Sequence, residues 1–391
     1  MNNFSLPLMD DNINREDINS LVNFLTQDPI PKLTNGEKVR QFEQDWSKWL
    51  GTEYSLFVNS GASANELTML ALSYMYGSLE VIVPPLTWIS DISSVLFAGH
   101  KLKFCDINFK NLSFDMEMLK RIITPNTKVI FVTHVLGING ITQELLDLCK
   151  EKNILLIEDV CESHGTTFNG KKLGSFGRVS NFSFYFAHHM STVEGGMICT
   201  NDKLFYSVCR SLRSHGMLRE CNDDHFKRVI LAENPDLNPD FIFIHPSHNF
   251  RSTEMNAVLG ISQLKRLDGN NEIRKQNFDY FIKNLSSERY MTDLEMAGQC
   301  NYAFIVILKD GTFEKRDLVE KTLKENGIEF RRGLSGGGNQ MRQPFFKKNF
   351  KIPYEQYPNI DYIHNFSWYI GNYPTLKREK IDFLLNVLNN I

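Results

Sequence analysis

Long apolar runs, paired cysteines and a strong charge of either sign are all missing from this chain of 391 residues. No stretch approaches the ~20 apolar residues that a membrane-spanning helix requires, and the N-terminus resembles neither a signal peptide nor a transit peptide. The net charge is −3 and the basic residues are spread along the chain. These absences favour a cytoplasmic protein without nucleic-acid or membrane partners.

The cysteines are scattered and odd in number, and none belongs to a Cys-x-x-Cys pair. This pattern is typical of reduced core thiols in a cytoplasm rather than of a disulfide framework. It gives little support to a zinc or iron–sulfur site, because such sites use clustered ligands. We therefore predict no metal. The cysteines are Cys105, Cys149, Cys161, Cys199, Cys209, Cys221 and Cys300.

A hydrophobic content of 42% is enough for a large core, and strands alternate with helices between residues 54 and 157. This alternation predicts right-handed crossovers and a mainly parallel sheet, which binds ligands at the carboxyl ends of its strands. From about residue 300 the pattern becomes that of a small α+β domain. We therefore predict a large α/β domain over residues 1–250, then a linking helix and the small domain over residues 251–391.

Several local predictions accompany this division. The apolar periodicity predicts helices over residues 11–28 and 36–50, the second of them capped by Asn35 or Thr34. Ser252 or Thr253 is expected to begin another helix, and residues 270–286 to form the linking helix. Residues 220–247 show no periodicity and are predicted to be an irregular loop that reaches across a subunit boundary.

A small-residue turn, Asn59-Ser-Gly-Ala-Ser63, separates a predicted strand from a predicted helix. The first-turn amides of a helix are free and its dipole favours negative charge, so this turn suits an anion. Read alone, it is equally compatible with a simple cap and a close-packing site.

The most informative stretch is residues 181–196, where an aromatic run ends at His188 and His189 and Glu194-Gly-Gly follows. The pattern predicts strand, exposed loop, strand. No lysine occurs between Lys172 and Lys203. Taken alone, the pair is equally consistent with two ordinary histidines, one of them buried and satisfied.

This stretch resembles the segment in which the nucleotide-sugar aminotransferases (DegT-type) place their Schiff-base lysine. These enzymes are a branch of the fold-type I pyridoxal-phosphate (PLP) enzymes. Here His188 occupies the lysine position, as in the sugar 3-dehydratases of the same branch. The resemblance runs through nearly the whole chain, and it implies the fold-type I architecture: three α/β/α layers with a mainly parallel central sheet and a small C-terminal α+β domain.

The resemblance also implies a set of site residues around PLP or pyridoxamine phosphate (PMP). Trp88 would stack on the pyridine, Asp159 would pair with its nitrogen, and Glu162 would lie near the phenol oxygen. Asn249 would reach the cofactor phosphate of the second subunit in a homodimer. The implied phosphate ligands are Gly61, Ala62, Ser63 and Ser183, and the implied substrate-binding residues are His215, Arg219, Arg251 and Arg331.

Several of these residues also have an ordinary structural interpretation. Trp88 could be a core tryptophan, Asp159 a helix N-cap and Glu162 a solvated surface acid. The glycine- and arginine-rich segment 331–344 suits phosphate binding, and we predict that it closes over the substrate diphosphate. A mobile surface loop is an equally good interpretation of that segment.

The implied activity is removal of the 3-hydroxyl from a nucleotide-linked 4-keto-6-deoxyhexose, with L-glutamate restoring PMP. His188, expected near its ordinary pKa of ~6.5, would act first as base and then as acid. Three alternatives remain at this point: a CDP-linked dehydratase with an iron–sulfur cluster, a plain aminotransferase, and a non-catalytic sugar-binding protein.

Overall fold

The computed structural model describes residues 4–10, 12–351 and 353–391. Its helices are α1 (Arg15–Leu25), α2 (Glu37–Leu50), α3 (Gly61–Tyr76), α4 (Ile89–Phe97), α5 (Met116–Ile122), α6 (Gln143–Lys152), α7 (Lys203–Arg213), α8 (Asp224–Glu233), α9 (Glu254–Asn284), α10 (Phe313–Glu325), α11 (Pro344–Asn349), α12 (Pro358–Phe366) and α13 (Arg378–Asn389). Its strands are β1 (Tyr54–Val58), β2 (Glu80–Val83), β3 (Lys101–Phe104), β4 (Thr127–Thr133), β5 (Leu155–Asp159), β6 (Thr167–Phe168), β7 (Lys171–Lys172), β8 (Val179–Ser183), β9 (Gly196–Thr200), β10 (Ala303–Ile307), β11 (Phe330–Arg332) and β12 (Ser367–Gly371).

A seven-stranded sheet in the order β1-β9-β8-β5-β4-β2-β3 forms the centre of the protein. The pairs from β8 through β5, β4 and β2 to β3 are parallel, and β9 runs antiparallel to both of its neighbours. The mainly parallel α/β sheet predicted from the sequence is therefore confirmed.

Both faces of this sheet are covered, because successive side chains of a strand point to opposite sides. On β2, Val81 and Val83 belong to one apolar core while Ile82 belongs to the other. Helices α3 and α4 pack into the first core, and α2, α5 and α6 into the second. This arrangement produces three layers.

A smaller antiparallel sheet, β10-β12-β11, lies in the C-terminal part of the chain. Helix α9 connects the two parts, since it packs against α1 and α2 as well as α13. The predicted division at residue 250 stays a prediction, because α9 contacts both sides. In the described ranges, no helix has the length and apolar character of a membrane span.

The predicted cap of α2 is wrong. The N-cap residue is Gly36, which offers no side chain, and the carboxylate of Glu254 replaces it. Glu254 Oε1 accepts hydrogen bonds from the amides of Gly36 and Val39 at 2.9 and 2.8 Å, and Oε2 accepts one from the amide of Lys38 at 2.9 Å. A remote acid thus satisfies the free amides at the start of α2.

Three other boundaries also differ from the predictions. Helix α1 begins at Arg15 after the capping residue Asn14, and Asp11 lies outside the described residues. The helix expected at Ser252 or Thr253 and the predicted linking helix form one 31-residue helix, α9, with Thr253 as N-cap. Within residues 220–247, α8 replaces part of the predicted irregular loop. The expected lack of periodicity is wrong here, because Phe226, Val229 and Ile230 recur at helical spacing, although the helix buries none of its residues.

Candidate active site

A cavity of about 520 Å³ opens at the carboxyl ends of the central strands. Thr133, Asp159 and Ser183, the last residues of β4, β5 and β8, lie on its wall, beside the turn that follows β1. This is where parallel sheets bind ligands. Of the residues predicted from the sequence, those on the wall are Gly61, Ala62, Trp88, Asp159, Glu162, Ser183, His188 and Arg331.

The turn between β1 and α3 forms a tight cradle. A side chain at Gly61 would place its Cβ 2.5 Å from Cβ of Ser183 and 3.1 Å from Sγ of Cys161, so only glycine fits. Ser60 caps α3 by accepting a hydrogen bond from the Ser63 amide at 3.0 Å, and its hydroxyl lies 2.9 Å from that of Ser63. Ser63 therefore takes part in the cap, and its predicted role as a phosphate ligand is untested.

Asp159 is buried at the end of β5, with 4% of its surface exposed. Its Oδ1 accepts a hydrogen bond from the Cys161 amide at 2.8 Å, and its Oδ2 accepts one from Nδ2 of Asn65 at 3.1 Å. A turn rather than a helix follows Asp159, so the N-cap interpretation is wrong. Neither donor carries a charge, and the carboxylate is suited to a cationic group in the cavity.

The ordinary structural interpretations of Trp88 and Glu162 are both wrong. Trp88 is 54% exposed on the cavity wall, where a large aromatic face is free to stack, and it is not a core tryptophan. Glu162 is buried rather than solvated, and its Oε2 accepts a hydrogen bond from the Leu136 amide at 3.0 Å. Burial raises the pKa of Glu162 to about 7, and the charge of Asp159 adds to the effect.

His188 lies in the loop between β8 and β9 and lines the cavity. Its Nδ1 is 3.1 Å from the carbonyl oxygen of Ser183, and its own carbonyl accepts a hydrogen bond from Nδ2 of Asn12 at 3.0 Å. A carbonyl oxygen only accepts, so Nδ1 carries the hydrogen and Nε2 carries the lone pair.

The expectation that His188 keeps a pKa near 6.5 is wrong. Burial lowers the pKa of His188 to about 4, and the hydrogen bond to Ser183 offsets only part of this effect. The imidazole is therefore neutral at pH 7, and once protonated it is a stronger acid than an ordinary histidine. His189 is the buried member of the pair, with Nε2 2.8 Å from the Cys300 carbonyl oxygen, while its buried Nδ1 makes no hydrogen bond within the described part of the chain.

Four predicted residues lie away from this cavity within the single chain. Asn249 Oδ1 accepts a hydrogen bond from the Arg251 amide at 3.1 Å, next to the turn after β1. His215 lines a second, open cavity of about 660 Å³, and the Arg219 guanidinium lies 5.7 Å from the Phe241 ring centre. Their predicted roles stay predictions, and the predicted role of Asn249 depends on a second subunit.

The glycine- and arginine-rich segment only partly reaches the cavity. Arg331, Ser335 and Gly336 lie on its wall, while Arg342 is held away by an ion pair with Asp361 at 2.5 Å. A Cβ at Gly336 would lie 3.0 Å from the Trp88 ring, so the segment packs against that tryptophan. Its proposed closure over a diphosphate stays a prediction.

Two tyrosines on the cavity wall are among the residues that the sequence did not predict. Tyr369 lies on β12 of the small sheet, and Tyr302 immediately precedes β10. The Tyr302 ring centre is 5.9 Å from that of His188. Burial raises the pKa of Tyr369 to about 12 and raises that of Tyr302 as well, so both are neutral phenols. No local signal marks them, because only the packing of the small sheet brings them to the cavity.

The model of the DegT/DnrJ/EryC1/StrS aminotransferase family matches residues 12–389, and the chain belongs to this family.

Within the family, the chain is similar to the GDP-4-keto-6-deoxy-D-mannose 3-dehydratase of Yersinia pseudotuberculosis. The two are 32% identical over 363 residues, which cover 91% of each protein. The E. coli GDP-4-keto-6-deoxy-D-mannose-3-dehydratase with bound hydrated PLP has a TM-score of 0.88 at 29% identity, covering 98% of this chain and 99% of that chain. A GDP-4-keto-6-deoxymannose-3-dehydratase with a trapped PLP–glutamate geminal diamine has a TM-score of 0.87 at 28% identity, covering 98% and 100%. These structures confirm the predicted fold class.

Proposed function

We propose that this protein is a PLP/PMP-dependent 3-dehydratase of a nucleotide-linked 4-keto-6-deoxyhexose. The substrate is GDP-4-keto-6-deoxy-D-mannose, the product a 3,6-dideoxy-4-keto sugar, and L-glutamate the amino donor. The observation that carries the proposal is a neutral imidazole, His188, which lines the cavity at the sequence position where the family resemblance implies a lysine in the aminotransferases. The activities and ligands of the similar dehydratases support the substrate and donor.

The cavity residues fit the cofactor. The Gly61 cradle beside Ser183, at the N-terminus of α3, offers free amides to a phosphate. Trp88 offers an exposed aromatic face. In the described part of the chain the buried Asp159 carboxylate accepts hydrogen bonds only from uncharged donors, so a protonated pyridine nitrogen would supply the missing cation. When bound, the cofactor supplies an amine and an electron sink.

His188 would move the protons. Its Nε2 lone pair is available because Nδ1 is engaged by Ser183, so Nε2 can accept a proton as the base. The resulting imidazolium is more acidic than that of an ordinary histidine, and it can donate the same proton to the leaving 3-hydroxyl, which departs as water. The proton that His188 accepts as the base is the one that it then donates as the acid, so no other proton donor is required.

The positions of the lysines also support the dehydratase proposal. In the part of the chain that the structure describes, no lysine lines the cavity, so the side chains present offer no amine for covalent attachment of the cofactor. Reversible aminotransferase chemistry of the usual kind uses such an amine. A neutral histidine instead favours non-covalent PMP and elimination.

We also propose a cytoplasmic homodimer with shared active sites. Asn249 and Arg251 lie beside the β1–α3 turn, and the neighbouring segment exposes Phe241 and Phe243, 58% and 54% accessible. Exposed aromatics of this kind are typical of an interface. The described cysteines are free thiols, as expected in a reducing compartment.

Product analysis tests the proposal. Purified protein is incubated with PLP, L-glutamate and a panel of GDP-, CDP-, dTDP- and UDP-linked 4-keto-6-deoxy sugars, and the products are identified by mass spectrometry. We expect a 3-deoxy product and released ammonia with the GDP sugar. Formation of a 4-amino sugar with the 3-hydroxyl retained would overturn the dehydratase proposal in favour of an aminotransferase.

A further inference from the structure

A second carboxyl group, that of Asp91, lies directly behind Asp159. Asp91 is in the first turn of α4 and is completely buried. The Nδ2 atom of Asn65 lies 2.6 Å from Asp91 Oδ1 and 3.1 Å from Asp159 Oδ2, so one amide group bridges the two acids. Asp159 faces the cavity and Asp91 does not.

The other oxygen of Asp91 is held by hydroxyl groups. Thr133 Oγ1 lies 2.9 Å from Asp91 Oδ2, Thr87 Oγ1 also contacts that oxygen, and the two hydroxyls are 2.7 Å apart. The groups that face Asp91 are therefore the Asp159 carboxyl, one amide and the two threonine hydroxyls, with Ser90 bonded to the same amide and the Cys161 thiol near both acids. None of these partners is a cation.

Two adjacent carboxyl groups in such a place cannot both ionise. Burial raises the pKa of Asp91 well above its ordinary range, and the negative charge of Asp159 raises it further. Asp159 is the acid that a cation in the cavity can reach. The proton of the pair therefore belongs on Asp91, whose hydroxyl partners can accept a hydrogen bond from it.

We propose that Asp91 is a positioning residue that remains protonated and holds Asp159 as the single negative charge facing the pyridine nitrogen of the cofactor. This inference rests on the proposed cofactor. A neutral Asp91 orients Asp159 through Asn65 without adding a second charge. One carboxylate then matches one pyridinium, and the hydrogen bonds around Asp91 fix the carboxylate plane.

The test uses two substitutions of Asp91 and one control. Asp91→Val removes the hydrogen bonds of the acid at similar size, whereas Asp91→Asn retains polar atoms but can carry no charge. Asp115→Asn alters a carboxyl that caps α5 outside the cavity and is the control. PMP affinity is measured by titration of each apoprotein, with folding checked by circular dichroism.

We expect Asp91→Val to weaken PMP binding by about tenfold or more, because Asn65 loses its partner and releases Asp159. Asp91→Asn should restore affinity to within about threefold of the wild type, since it replaces one neutral group by another. Equal affinity in Asp91→Val and wild type would overturn the positioning role. A loss in Asp91→Asn as large as in Asp91→Val would overturn the neutral state.

Infrared difference spectroscopy of the apoproteins tests protonation directly and needs neither cofactor nor activity. The wild type minus Asp91→Asn spectrum at pH 7 should contain the carbonyl band of a protonated carboxylic acid, and the control difference should not. A carboxylate band in its place would contradict the proposal. This readout also separates the two hypotheses, because it is unaffected if the dehydratase assignment fails.

Discussion

The Nδ1 atom of His188 lies 3.1 Å from the main-chain carbonyl oxygen of Ser183, the last residue of β8. The bond ties the ring to the end of a central strand and fixes its tautomer, because a carbonyl oxygen accepts but never donates. The base is thereby positioned by the same residue that packs against Gly61 in the cradle.

The loop that carries His188 is also held from the N-terminal segment. Asn12 Nδ2 donates to the His188 carbonyl at 3.0 Å, and Arg266 donates to the Asn12 carbonyl at 2.9 Å. We expect Asn12→Ala to lower kcat several-fold, up to about tenfold, with a smaller change in KM, because the lost hydrogen bond frees the loop.

Asn14→Ala is the matched control for Asn12→Ala. It removes the cap of α1 two residues away and should cost about 1 kcal/mol of stability without a comparable loss of kcat. Steady-state kinetics and urea unfolding of both variants check this. Equal losses of kcat in the two variants would show that helix stability, not the contact with His188, matters.

Gly61→Ala should disrupt the cradle. The added Cβ would lie 2.5 Å from Ser183 Cβ, so the turn or β8 must shift, at a cost of about 1–3 kcal/mol in stability. PMP affinity should fall at least tenfold. Gly269→Ala, at an exposed position of α9, meets nothing within 4 Å and should stabilise the protein by roughly 0.5–1 kcal/mol. Thermal unfolding and PMP titration measure both, and unchanged PMP affinity in Gly61→Ala would exclude this turn as the phosphate site.

The pH dependence of kcat/KM should have two limbs. The pKa of His188 is lowered to about 4, so the base loses its proton-accepting form only near that pH, well below an ordinary histidine. The pKa of Glu162 is raised to about 7, so above pH 7 it loses the proton that it would donate to the cofactor phenol oxygen.

Substitution of Glu162 tests whether this residue causes the fall of kcat/KM at high pH. We expect kcat/KM of the wild type to fall as the pH rises through about 7, and Glu162→Gln to remove this fall because its amide donates at every pH. Rates between pH 5 and 9 are compared for the two proteins. An alkaline limb that persists in Glu162→Gln would assign it to another group.

The Glu254 carboxylate should contribute more to the free energy of unfolding than an ordinary helix cap does. Glu254→Ala leaves three amides at the start of α2 without their acceptor, and we expect a loss of about 3 kcal/mol. Thr253→Ala removes only the cap of α9 and should cost about 1 kcal/mol. Urea unfolding measures both free energies, and equal losses would mean that the carboxylate acts only within α9.

Local patterns predicted the parts of the site that depend on neighbouring residues. The turn at Gly61, the acid at the end of β5 and the histidine after β8 each follow a predicted strand, whereas the roles of the acid and the histidine came from the family resemblance. The cap of α2 was not readable, because its acceptor is Glu254, 218 residues after Gly36. Tyr302, Tyr369 and Asp91 were not predicted for the same reason, because only tertiary packing brings them close to Glu162 or Asp159.

His188→Lys tests the central claim most directly. The variant and the wild type are incubated with PLP, L-glutamate and GDP-4-keto-6-deoxy-D-mannose, and mass spectrometry follows both the sugar and, after borohydride reduction, the protein. We expect the 3-deoxy product to fall by at least ~10² relative to the wild type and the cofactor to be found attached to residue 188. Undiminished formation of the 3-deoxy sugar by the variant would contradict the role of His188 as the base.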